Sequence, residues 1–192
     1  MGGTDHLSPR SRLCCVSQQV PLFPLNQVVF PQAKLPLVVF EERYREMISD
    51  LLAITDPTQR LFAVVAIKGG WEVGSTADMK IHRIGSLMQL QSVAGRSGEP
   101  LHVRALAQSR ISLTRMDHSR AYLRTELDHL TETSSEASPE LAERARSLFG
   151  RYRTLLEQVT DRLVRAPQLP REPRALSWTL AAESFFGFAD QQ

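Results

Sequence analysis

Cysteine is almost missing from this chain, and the two present, Cys14 and Cys15, are neighbours with no third thiol to pair with. Adjacent cysteines seldom bridge each other, so a disulfide framework is excluded. They are either a reactive or metal-binding pair or incidental thiols in a tail, and the second is the better reading. Lysine is scarce too, with 3 Lys against 20 Arg, and the formal net charge is only +2. That balance is too small to make the chain a nucleic-acid binder by bulk charge. The arginine bias suits forks to phosphate or carboxylate, but a GC-rich coding sequence produces the same skew.

No apolar run approaches the roughly 18–20 residues of a membrane-spanning helix. The first nineteen positions hold Arg10 and Arg12 but no apolar core of a secretory signal, which favours the cytoplasm. Catalytic patterns are likewise absent. The five histidines form no HExxH and no zinc spacing. AGRSGEP is not a nucleophile elbow. Gly69–Thr76 has the glycine spacing of a phosphate loop, but Ser75 stands where the phosphate-contacting lysine belongs and a strand, not a helix, follows. Glu41, Glu42, Glu46 and Asp50 read as a solvated helix face, with Glu41–Arg45 favourable and Glu46–Asp50 mildly repulsive. No catalytic residue, no cofactor site and no metal site is nominated, and the chain is read as non-enzymatic.

What the chain does have is proline in a telling place. Val20–Met47 reads VPLFPLNQVVFPQAKLPLVVFEERYREM, with Pro21, Pro24, Pro31 and Pro36 too close together for a helix or a central strand. The run Leu35–Phe40 is short, branched and bounded by turn residues, so it predicts a buried strand. From Phe40 the period changes: Phe40, Tyr44, Met47 or Ile48, and Leu51 or Leu52 recur at three- and four-residue steps, predicting a helix near 41–54 with one apolar face. Asp56-Pro57 stops it.

This stretch resembles the start of the LON substrate-binding domain family, the amino-terminal domain of Lon proteases. The matching residues are Pro21, Phe23, Pro24 and Leu25; Phe30 and Pro31; Leu35, Pro36 and Leu37; and Phe40, Glu41, Arg43, Tyr44, Arg45 and Met47. Gln32 departs from the family's usual glycine, and glutamine is costly there if φ must be positive. Weaker similarity continues through Leu61–Gly74, His82–Val93, Leu101–Leu113 with Arg110 kept, and Ala121–Glu132, so the resemblance spans roughly residues 20–190. It implies a PUA-like β pseudobarrel with one inserted helix, followed by a small C-terminal helical region: an α+β fold. It also implies a stand-alone bacterial member without ATPase and protease domains.

The organisation expected is a flexible tail over 1–19, the β domain over 20–132, and a linker with helices over 133–192. Gly95–Pro100 is a hairpin connection, after which Val103, Ala105 and Ala107 alternate with Arg104, Leu106 and Gln108. Ser138 caps a helix begun by Pro139 and Glu140. Leu141, Ala145, Leu148, Tyr152, Leu155 and Val159 line one of its faces. A last helix starts near Arg174 and carries Leu176, Trp178, Leu180, Phe185, Phe186 and Phe188 around most of its circumference. It either packs on the barrel, the favoured reading, or meets a partner, or belongs to a trimmed chain; a homodimer through it is one expectation.

The function that follows from the resemblance is binding of polypeptide segments or of a protein partner, linked to proteolysis or protein quality control. Trp71, in a glycine-flanked turn, is the candidate peptide contact, with a side chain folded back to cap the barrel as an equal alternative. Phe40 and Tyr44 are expected in strand-to-helix packing, and Arg43 in a structural ion pair or a carbonyl contact. The rival is an RNA-binding PUA-like module using Arg104, Arg110, Arg115, Arg120 and Arg124, diluted by Glu126 and Asp128.

Overall fold

A computed structural model describes residues 19–69, 80–96, 98–132, 138–160 and 167–184. Trp71, Cys14, Cys15, Phe185, Phe186 and Phe188 lie outside the described residues. Among the described residues, six strands and three α-helices follow in the order β1 (Gln19–Leu25), β2 (Lys34–Val39), α1 (Glu42–Ala53), β3 (Leu61–Gly69), β4 (Lys80–Ala94), β5 (Leu101–Asp117), β6 (Arg124–His129), α2 (Pro139–Thr160) and α3 (Pro173–Glu183). The sheet order is β2-β5-β4-β3-β1-β6, and β6 pairs again with β5. Five strands therefore close into a ring, and β2 hangs from β5 outside it.

The ring closes because β5 is long enough to share one edge. Its first half, Leu101–Leu106, pairs with β2, and its second half, Ile111–Asp117, pairs with β6. The other edge of β5 runs along β4. β3 lies between β4 and the parallel strand β1, and buries both faces, as strands in parallel pairings commonly do. Phe62 and Val64 point into a cluster with Tyr44, Met47, Ile48 and Leu51 of α1, while Ala63 and Val65 point into a second cluster with Leu22, Ile111 and Leu127. β1 holds Pro21 and Pro24 and yet sits inside the sheet order. It does so because neither neighbour covers its full length: β6 pairs with Gln19–Pro21 and β3 with Leu22–Leu25.

Local chemistry explains the boundaries. α1 ends at Ala53, and Asp56 Oδ1 then accepts from the Thr58 amide to start a single 3₁₀ turn at Pro57–Gln59. Ser138 Oγ accepts from the Leu141 amide at 3.2 Å, the expected cap of α2. Gly85 of β4 is squeezed against β3, where a Cβ would collide with the Val64 carbonyl oxygen and the Val65 side chain. Before β2, the Ala33 amide bonds Phe30 O at 3.2 Å across Pro31 and Gln32, and Gln32 has φ 68°. Proline followed by a positive φ is a type II turn. Gln32 and Ala33 then both bond Ala107, through Gln32 N to Ala107 O at 2.9 Å and Ala107 N to Ala33 O at 3.0 Å, which makes a β-bulge.

Several expectations need correction here. The exposed flank of α1 is tied down: Tyr122 Oη donates to Asp50 Oδ2 at 2.6 Å, and Arg120 Nη1 lies 3.7 Å from the same oxygen. Glu41 pairs with Arg43 rather than Arg45, and Arg45 reaches Glu99 O at 2.6 Å on the β4–β5 hairpin. The predicted apolar face of α2 faces outward, with Leu148 and Leu155 exposed; the helix buries Phe149 instead and sends Arg146 Nη2 to Pro170 O. α3 buries Ala175 and Leu176 but is not buried all round, and its described turns end at Glu183.

Two outcomes follow. Gln32→Gly relieves a left-handed glutamine that costs about 1–2 kcal/mol, partly offset by glycine's freer unfolded chain. Chemical denaturation is expected to show a net gain of about 1 kcal/mol; a loss would mean that the turn gains from the glutamine side chain. Burial, with the Asp50 carboxylate beside it, pushes the Tyr122 hydroxyl from 10.0 to about 12. A raised folded pKa contributes stability that is complete below pH 10 and lost as pH rises through 12. Alkaline unfolding of Tyr122→Phe is expected to lose that step between pH 10 and 12.

Candidate functional site

The β2 edge and the start of α1 enclose a groove of 440 Å³, lined by Phe23, Leu25, Asn26, Gln27, Pro36–Phe40, Glu41 and Tyr44. Its volume lies in the range of roughly 300–1,000 Å³ usual for ligand pockets. Three elements build it. β1 supplies Phe23 and Leu25, both buried, at its C-terminal end. β2 alternates, with Leu35, Leu37 and Val39 buried and Lys34, Pro36 and Val38 exposed. α1 contributes Tyr44, whose ring stacks on Phe23 at 4.2 Å between centroids.

The floor is closely packed and the rim is apolar. The Arg43 guanidinium lies 4.6 Å from the Tyr44 ring centroid, and its Nη2 is 2.8 Å from Glu41 Oε2. Arg43 is thus in the structural ion pair expected for it, with a cation–π contact in addition. Tyr44 is only 4% exposed. Phe40, which the periodicity placed in the same packing, is not there: it is 58% exposed, and Val38 beside it is 56% exposed. The helix begins at Glu42, so Phe40, one residue past β2, continues the outward-facing series of Lys34, Pro36 and Val38 and does not join the buried helix face.

Of the other signature residues, Leu35, Leu37 and Met47 are in the core, Pro31 is buried in the turn, and Pro36 is on the open strand edge. Phe30 stacks at 6.2 Å on Trp178, whose ring also carries the Arg110 guanidinium at 5.2 Å. Arg110 makes a two-point pair with Glu132, at 2.8 and 3.0 Å, so Phe30 and Arg110 fasten α3 to the barrel. Sequence reasoning missed Val38, Asn26 and Gln27 as groove residues. The available signal was Pro36, because proline within a strand marks an edge.

A closed ring with a strand appended to one half of β5 and helices on the outside defines a small α+β pseudobarrel. The sequence pattern of the ATP-dependent protease La (LON) substrate-binding domain matches residues 19–192, so the chain belongs to the LON substrate-binding domain family. Among solved structures, a Lon N-terminal domain protein from Xanthomonas campestris superposes with TM-score 0.61 and 19% identity over 91% of this chain and 87% of that one. The N-terminal domain of a Mycobacterium avium complex Lon protease gives TM-score 0.59 and 17% identity over the same shares. Both share the fold. No curated protein matches the chain. The matched domain is a substrate-binding, non-catalytic one.

Two of the groove's three aromatics, Tyr44 and Phe40, separate by substitution. Tyr44→Ala is expected to cost about 3–5 kcal/mol, by the large-to-small rule for buried aromatics. Phe40→Ala is expected to stay within about 0.5 kcal/mol, as exposed substitutions do. Equal losses in denaturant titrations would place Phe40 in the core.

Proposed function

We propose that this protein binds polypeptide segments through the β2–α1 groove. The observation that carries the reading is the pair Val38 and Phe40, large apolar side chains left more than half exposed on the rim of a pocket floored by buried Phe23 and Tyr44. Exposed apolar side chains rimming a groove mark interaction sites. Of the lining residues only Glu41 is charged, and it is ion-paired, so the groove suits uncharged apolar side chains. A substrate-binding family supports the class of ligand. Links to proteolysis, a cytoplasmic location and a contact from Trp71 belong to the same proposal and rest on the sequence.

The RNA-binding alternative loses support. Arg110, Arg115 and Arg120 are each engaged with a carboxylate, at 2.8, 3.9 and 3.7 Å. With three of the strip's five arginines so engaged, less charge is left for phosphates.

Binding of a chemically unfolded, fluorescently labelled polypeptide tests the reading. Phe40→Asp is expected to weaken it at least tenfold without lowering the thermal midpoint. Undiminished binding by a folded Phe40→Asp protein would remove the groove from the account.

A further inference from the structure

We infer that the open edge of β2 takes up its ligand as an added β-strand, with alternate ligand side chains lowered into the groove. The inference rests on the peptide-binding reading above and adds the conformation and register of the bound segment.

The hydrogen bonds at the start of β2 set which backbone groups are available. Ala107 N bonds Ala33 O, and the register continues Lys34↔Leu106, Leu35↔Ala105, Pro36↔Arg104, Leu37↔Val103, Val38↔His102 and Val39↔Leu101. In an antiparallel pair, bonded and non-bonded residue pairs alternate. Residues 35, 37 and 39 therefore bond β5, while Lys34, Pro36 and Val38 turn their backbone groups the other way. Pro36 fits this assignment independently, since it has no N–H to give to a ladder. Among the described residues no strand lies on that side of β2. The edge offers two N–H donors, from Lys34 and Val38, and three carbonyl acceptors.

The same geometry chooses the occupant. Unpaired strand edges recruit extended chain. A second copy of β2 paired antiparallel about a two-fold axis at Pro36 would set proline against proline and lose both bonds of the central pair. A foreign segment loses one bond of six. Directly opposed residues share a face of the sheet. Segment residues facing Lys34, Pro36 and Val38 thus lie on the exposed face and donate their amides to β2. The residues between them lie on the face of Leu35, Leu37 and Val39, toward Phe23, Leu25 and Tyr44. The selected ligand is an extended segment with uncharged apolar residues at every second position. An amphipathic helix has no amides to give along its length, since past the first turn all are used internally.

A fluorescein-labelled heptapeptide, Thr-Val-Thr-Phe-Thr-Val-Thr, tests this with two isomers that carry N-methyl groups on either the threonine amides or the valine and phenylalanine amides. The threonine-methylated isomer is expected to bind at least tenfold more weakly than the parent, and the other within about twofold of it. Isomers that bind alike, or a loss confined to the valine and phenylalanine isomer, would overturn strand addition. If the isomers bind alike while Phe40→Asp abolishes parent binding, the groove reading stands and only strand addition falls. A parent peptide that does not bind removes both. Light scattering completes the test: a dimer that does not take up the peptide would assign the edge to a second copy and overturn the inference.

Discussion

The division of one edge of β5 between two partners is the constraint on which the rest of the structure depends. A strand edge accepts one neighbour at a time. β6 takes Ile111–Asp117 and carries the sheet on to β1, which closes the ring. β2 takes Leu101–Leu106 and is left outside. The bulge at Gln32 and Ala33 lies opposite Ala107, between these two halves. It sets the strand that follows in register while the chain turns away from the ring.

The groove is a consequence of that arrangement. A strand outside the ring needs cover on its inner face, and α1 supplies it with Tyr44, Met47, Ile48 and Leu51. The cover begins only at Glu42, so the end of β2 and Phe40 stay open. Stacking of Tyr44 on Phe23, with Arg43 over the same tyrosine and tied to Glu41, holds the floor in place. Side chains locked by packing make a preformed site, and such a site spends less conformational entropy on binding. The α3 clamp of Phe30, Trp178, Arg110 and Glu132 holds the segment leading from the groove's Gln27 into the bulge.

Local signals in the chain were enough for the elements themselves. The helix expected near 41–54 is Glu42–Ala53, the cap at Ser138 is made, and the left-handed demand at Gln32 is real. Each of these depends on a few neighbouring residues. What stayed hidden depends on distant pairing. Nothing in LPLVVF says which edge of the strand is covered, because that is decided by β5, about seventy residues on. The exposure of Phe40 and the tie from Asp50 to Tyr122 are of that kind. α2 shows the limit of periodicity from another side: two apolar stripes run along it, and Leu141, Leu148 and Leu155 lost the core to Phe149. Trp71, chosen for its glycine-flanked turn, lies outside the described residues, so the groove rests on other side chains.

The backbone of β2 is saturated on one edge and open on the other, and this is measurable one amide at a time. Hydrogen exchange read by NMR should find the amides of Leu37 and Val39 protected and that of Val38 exchanging freely in the protein alone. Adding an unfolded polypeptide in excess should slow Val38 and leave its two neighbours as they were. Protection of the Val38 amide before any ligand is added would contradict the account, as would free exchange that the polypeptide leaves unchanged.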